Sequence, residues 1–233
     1  VPEPDVLERL MSHMKEDVGA VGGAVVIPGR ESAGGSGKIQ DIYHLPNVQW
    51  SRSNKVMEVD HLYSSFVYRA GIVDYCIDLS PIAHREESIF SHMLKRAGYR
   101  LIADTSIVTW HYQQESGGIR SHDAPFFLTH DEEIFHQRME SWGIKLIHID
   151  TGLGDHLVFE EIVPALLRKY EHLIIGCAYP EVFKKYKTIT ILPCADSFRW
   201  CKDNVYKWMS DRQWKRPVLE AYKEMYGVTD ADC

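Results

Sequence analysis

The sequence has no apolar run that could cross a bilayer, because none approaches the ~18–20 consecutive apolar residues a spanning helix needs. No signal-peptide pattern opens it. It also lacks an excess of positive charge. With 33 Asp and Glu against 26 Lys and Arg, the formal net charge is −7, which argues against a broad electrostatic grip on nucleic acid. Cysteine is sparse: five are scattered at positions 76, 177, 194, 201 and 233, odd in number and with no CxxC pair. That argues against a disulfide framework and a zinc knuckle and favours a reducing cytoplasm, where the chain is expected. Peripheral contact with the inner membrane face is a further expectation. No internal repeat and no low-complexity segment occurs.

What is present is the balance of a globular protein, 45% hydrophobic and 25% charged in 233 residues, enough for one large domain or two small ones. Apolar residues Val6, Leu7, Leu10, Met11 and Met14 recur at spacings of three and four, which predicts a helix starting near Pro4 or Asp5. Val18 to Ile27 is short, apolar and β-branched, a buried strand. The glycine- and serine-rich stretch 28–38 reads as a mobile loop, and 56–68 as a strand interrupted near His61. Ser80-Pro81 opens a turn. A helix over about 85–97 follows, with Ile89, Phe90, Met93, Leu94 and Ala97 on one face and Gly98 ending it. Residues 99–103 and 107–110 read as two short strands.

Pattern is lost between Gln113 and Asp123, which sets a domain boundary: one unit over 1–122, a linker helix over 123–142 and a second unit over 143–233. The second unit alternates strand and helix. Strands are expected at 144–149, 173–177 and 188–192. A helix over 157–170 is expected to be kinked by Pro164, and a short one spans 181–186. Two further helical runs, 205–209 and 218–226, close the chain. The expected class is α/β: a mixed, Rossmann-like sheet, then a small parallel half-domain.

Two constellations carry chemistry. In the first, Glu86 and Glu87 stand in the first turn of a helix, where the helix dipole favours carboxylates. Held at the edge of a buried face, such a carboxylate can serve as general base for a hydroxyl; plain charge complementation of the helix end is the other reading. Of twelve histidines, His111 and, second, His84 sit where chemistry would want one. In the second constellation, Gly152-Leu153-Gly154-Asp155 forms a turn between a strand and a helix. Asp155 repels phosphate, and the turn lacks the Lys and Ser/Thr of a P-loop and the third glycine of a dinucleotide loop.

The order HREESIFSHMLKRAGYRLIADTSIVTWH over residues 84–111 resembles the inverting family 2 glycosyltransferases of GT-A fold. There a Glu-Asp or Arg-Glu-Glu precedes a helix, then come Arg-x-x-Gly-Tyr-Arg, a short strand, Asp-Pro and a closing His. Here Asp104 is followed by Thr105 instead of Pro. The resemblance extends over roughly residues 1–115. It implies that Glu87, or its neighbour Glu86, is the base that deprotonates an acceptor hydroxyl. It implies that Arg69, Arg85 and Trp110 line the substrate site, and that His111 helps bind a divalent Mg²⁺ or Mn²⁺. In that family the nucleotide-binding strands and the metal-binding Asp-x-Asp precede the point where Val1 stands, so little or no transfer by this chain alone is expected.

Gly152-x-Gly154-Asp155-x-Leu157, followed by Pro164-Ala165-Leu166, is similar to the N-terminal domain of GT-B heptosyltransferase-like enzymes of family 9 over about 143–195. The similarity implies that Asp155 is a second base and that Gly152 and Gly154 lie against substrate. The function implied is transfer of a sugar from a nucleotide-sugar donor to a glycan or polysaccharide acceptor. A non-catalytic carbohydrate-binding or scaffold module derived from such an enzyme is the alternative, and a sugar-unrelated nucleotide-binding Rossmann protein a third. Trp50, Tyr63, Trp110 and Tyr112 are candidates for stacking on sugar rings. Self-association through an unpaired strand edge is expected.

Overall fold

The computed structural model describes residues 1–26, 28, 55–62, 65–110, 112, 124–194 and 204–232. The chain divides into two compact units, Val1–Phe135 and His136–Cys233. Both are α/β. The first is built on a mixed four-stranded sheet and the second on a parallel three-stranded one.

In the first unit α1 (Val6–Ser12) leads into β1 (Val18–Val26), the most buried strand. β2 (Val56–Val59), β3 (Phe66–Tyr68), α2 (Glu86–Arg96), β4 (Arg100–Trp110) and the start of α3 (Ala124–Ser141) follow. The strand order is β2-β4-β1-β3. β1 and β4 run parallel at the centre, and the short outer strands pair antiparallel. A parallel central pair covered on both faces needs apolar side chains in both directions, and β1 supplies them as a continuous Val/Ala/Gly run. Ala20, Leu62, Phe90, Leu94 and Leu101 form the core under α2. Val6, Leu10, Val18, Val21 and Ile107 form the one under α1.

β4 is continuous where the sequence suggests two strands. The apparent break is a bulge. Gly23 pairs with Asp104 and the next residue, Ala24, with Val108, so 105–107 arch out of the ladder. The arch is stitched locally: Asp104 Oδ1 accepts from Ser106 N at 2.9 Å and Ser106 Oγ at 2.6 Å, while Oδ2 lies 2.8 Å from His13 Nε2. Gly23 faces it with no room to spare. A Cβ there would lie 2.4 Å from the Ile107 carbonyl oxygen, a backbone atom that cannot swing aside. Gly23→Ala is expected to cost about 3 kcal/mol by pushing β1 and β4 apart. Urea unfolding measures it, and a midpoint equal to the parent's would show that the bulge yields freely.

The second unit orders its strands β5 (Ile144–Ile149), β6 (His172–Cys177) and β7 (Ile189–Pro193), all parallel and in sequence order. α4 (Leu153–Glu160) and α5 (Val163–Lys169) connect the first two, and a 3₁₀ turn at Pro180–Val182 comes before the third. Pro164 does not kink one long helix. It occupies the first turn of a second helix, where its missing N–H costs nothing, and the chain re-aims between 160 and 163. α6 (Val205–Asp211) and α7 (Val218–Tyr226) complete the unit. Phe159, Phe183, Tyr222 and Tyr226 form the aromatic centre of its core, with Phe159 edge-on to the other three. Among the described residues no helix is long and apolar enough to cross a membrane.

Candidate functional site

The start of α2 is set by an unusual backbone. Its capping residue is Arg85, at φ 74° and with no side-chain cap, and Ala83 two residues earlier is also left-handed at φ 48°. Neither residue type favours that region, so the surroundings must hold the turn in place. They do so from α3. Asp131, fully buried, accepts from Ser80 N at 2.6 Å, from Ser80 Oγ at 2.8 Å and from His84 N at 2.8 Å. Glu132 takes the rest: His84 Nε2 lies 2.9 Å from its Oε1, Arg85 Nε donates to the same oxygen at 2.9 Å, and Arg85 Nη2 donates to Oε2 at 3.3 Å. The Phe135 ring closes over the guanidinium, 4.1 Å from its carbon. Burial opposes ionisation of Glu132, but the His84 ring and Arg85 outweigh it and hold the carboxyl down to about 2.

This clamp delivers Glu86 and Glu87 side by side, both half-buried, in the first turn of α2. Burial, and then the charge of Glu87, raise the pKa of Glu86 above its ordinary value. A raised carboxyl is one whose protonated form the fold prefers, so the stability it lends is complete below the ordinary value and lost as pH rises through the raised one. Glu86→Gln is therefore expected to raise Tm at pH 7 by about 1–3 °C and to leave it unchanged at pH 3. Melts at the two pH values test this, and an equal shift at both would point to packing instead of charge.

Within electrostatic reach of both carboxylates, Tyr75 belongs to a group of aromatic rings. Tyr75 stacks on Phe90 with centroids 4.3 Å apart and planes 13° from parallel. Tyr68 on β3 meets Phe90 edge-on at 5.0 Å and Tyr75 at 5.9 Å, and Phe66 completes the group. Burial raises the Tyr75 pKa, and the Tyr68 phenol and both glutamates add to it, so this phenol stays neutral at physiological pH. Behind them His61 is buried, its Nε2 3.4 Å from Ser88 Oγ. Burial and then Arg85 push it down to about 3, so the ring is neutral.

The other expected site residues fall in several places. Arg85 is buried, and its guanidinium serves the clamp on Glu132. Arg69 lies just beyond β3, with Nη2 donating to the Lys15 carbonyl at 2.8 Å. Trp110 ends β4 and reaches Glu3 Oε1 with its indole N–H at 3.3 Å. His111, Trp50 and Tyr63 lie outside the described residues, and Tyr112 is exposed. In the second unit, Asp155 sits at the third position of α4 and closes the turn. Its Oδ2 accepts from Gly152 N at 3.2 Å, and its Oδ1 accepts from Tyr206 O–H at 2.6 Å. Gly152 and Gly154 are exposed at that turn.

Tyr68 and Tyr75 escape a sequence reading because one lies on a three-residue strand and the other in a loop, with nothing periodic to unite them. Asp230-Ala231-Asp232 has the spacing of an Asp-x-Asp, but Lys223 Nζ holds Asp230 at 2.6 Å, and Asp232 accepts from Thr229 N at 2.7 Å and from its Oγ1 at 2.6 Å. Among the described residues no three His, Cys, Asp or Glu side chains gather as a metal would require. Compared with family models, with curated proteins and with solved structures, the chain matches none of them.

Proposed function

We propose that the first unit is the acceptor side of an inverting glycosyl-transfer site, with the Glu86–Glu87 pair as general base for an acceptor hydroxyl. The observation that supports it best is the pair itself: two half-buried carboxylates on a clamped helix start, beside exposed aromatic rings, with Glu86 raised toward working pH by burial and by Glu87. A base tuned upward removes a hydroxyl proton more effectively than an ordinary carboxylate. Resemblance implies Glu87 as the base, with Glu86, whose pKa burial and Glu87 raise, as its neighbour and second candidate. In the reaction the acceptor oxygen attacks the anomeric carbon of the donor sugar, the bond from that carbon to the nucleotide diphosphate breaks, and the hydroxyl proton passes to the carboxylate. Attack from the face opposite the leaving group inverts the configuration. In the second unit Asp155 closes the α4 turn, and we assign it no step in this transfer.

The test is saturation-transfer NMR on the chain with a panel of methyl glycosides and short glycans, without nucleotide or metal. Binding that perturbs Glu86 and Glu87 is expected. Binding of no glycoside in the panel overturns the acceptor reading.

A further inference from the structure

We propose that Tyr75, with Phe90 beneath it and Tyr68 at its side, is a stacking subsite for the apolar face of a pyranose ring, presenting the sugar's hydroxyls to Glu86 and Glu87; this rests on the acceptor-side reading above. Phe90 is 1% exposed and fixed in the core under α2. Tyr75 lies nearly parallel on it yet is 37% exposed, so its open face is the one turned away from Phe90. Tyr68 stands at 86° to Tyr75 and is 41% exposed, with its centroid nearer to Phe90 (5.0 Å) than to Tyr75 (5.9 Å), so at this corner it braces the flank of the stack and leaves the outer face of Tyr75 open. The loop carrying Tyr75 is anchored on both sides. Ile72 and Val73 pack on the core, and the Asp78 carbonyl accepts from His130 Nε2 at 3.0 Å.

The chemistry of the corner selects its ligand. An aromatic floor attracts the polarised C–H bonds of a sugar face, and carboxylates at the rim accept hydroxyl hydrogen bonds. The same carboxylates repel the phosphates of a nucleotide, so a nucleobase is the poorer occupant. A β-gluco-configured pyranoside meets both requirements. Its H1, H3 and H5 point axially from one face, while its hydroxyls radiate equatorially toward the rim.

The experiment titrates the chain with methyl β-D-glucopyranoside, methyl β-D-galactopyranoside and uridine, following protein amides and ligand protons by NMR. Expected are upfield shifts of the glucoside H1, H3 and H5, an affinity at least tenfold weaker in Tyr75→Ala, and one within about threefold of the parent in Tyr75→Phe, which keeps the ring. Amide spectra confirm that each variant is folded. If the glucoside perturbs Glu86 and Glu87 but Tyr75→Ala binds as the parent does, the subsite is wrong and the acceptor reading stands. If the sugar stacks on Tyr75 without disturbing either glutamate, the stacking platform stands, but the presentation of its hydroxyls to Glu86 and Glu87 falls and the base assignment with it. Uridine binding there in preference to the sugars, or no sugar binding at all, overturns the subsite.

Discussion

Glu132→Gln is expected to destabilise the first unit by about 3–5 kcal/mol, the range for removing one member of a buried ion pair. The Arg85 guanidinium is wholly buried, donates twice to this carboxylate and is roofed by Phe135. A neutral amide keeps the volume and removes the charge that makes the burial tolerable. The loss should be read by chemical denaturation at pH 7. Pairing the change with Arg85→Met should recover much of it, since the buried cation that the carboxylate neutralised goes as well. The acid limb supplies an independent check. With the folded carboxyl held at about 2 against an ordinary 4.5, its contribution is full above the ordinary value and disappears as pH falls toward 2. Glu132→Gln should lack that part of the acid transition. A variant that melts like the parent at pH 7 would mean that water reaches Arg85 readily, and the clamp would lose its standing as what holds α2 in place.

The largest effect on activity is expected at the carboxylate pair. On the proposed acceptor-side reading, in a transfer assay supplied with nucleotide sugar, divalent metal and saturating acceptor, replacing the base by Gln should lower kcat by about 10²–10⁴-fold. KM for the acceptor should stay within about threefold, because Gln still hydrogen-bonds a hydroxyl. Glu86→Gln and Glu87→Gln made separately identify the base. The partner substitution should shift the rising limb of the pH–rate profile to lower pH by removing the neighbouring charge, a limb whose apparent pKa belongs to the pair. Should both variants transfer at the parental rate, no carboxylate of α2 is the base.

Much of the secondary structure was legible. β1 announces itself by an unbroken apolar run, α2 by its 3.6-residue periodicity and Gly98, and β5 and β6 by short apolar stretches spaced for crossovers. Two misreadings share one cause. Asp104-Thr105-Ser106 looked like the end of a strand because three polar residues break the pattern, yet they form a bulge satisfied by His13 and by their own hydroxyls. Pro164 looked like a kink because the apolar pattern continues past it, yet the chain starts a new helix there. In both cases the deciding partners are distant in sequence or depend on where the backbone turns, and periodicity carries neither.

The sequence by itself determined the α/β class, most of the elements and the placement of Glu86 and Glu87 in the first turn of a helix, because these depend on local propensity and spacing. Only the tertiary structure decided what surrounds that pair. It set Arg85 facing inward on Glu132, drew Asp131 onto the Ser80–His84 turn, and brought Tyr68, Tyr75 and Phe90 into one corner. Burial arises between residues far apart in the chain, and with the charge of neighbouring Glu87 it raises the pKa of Glu86.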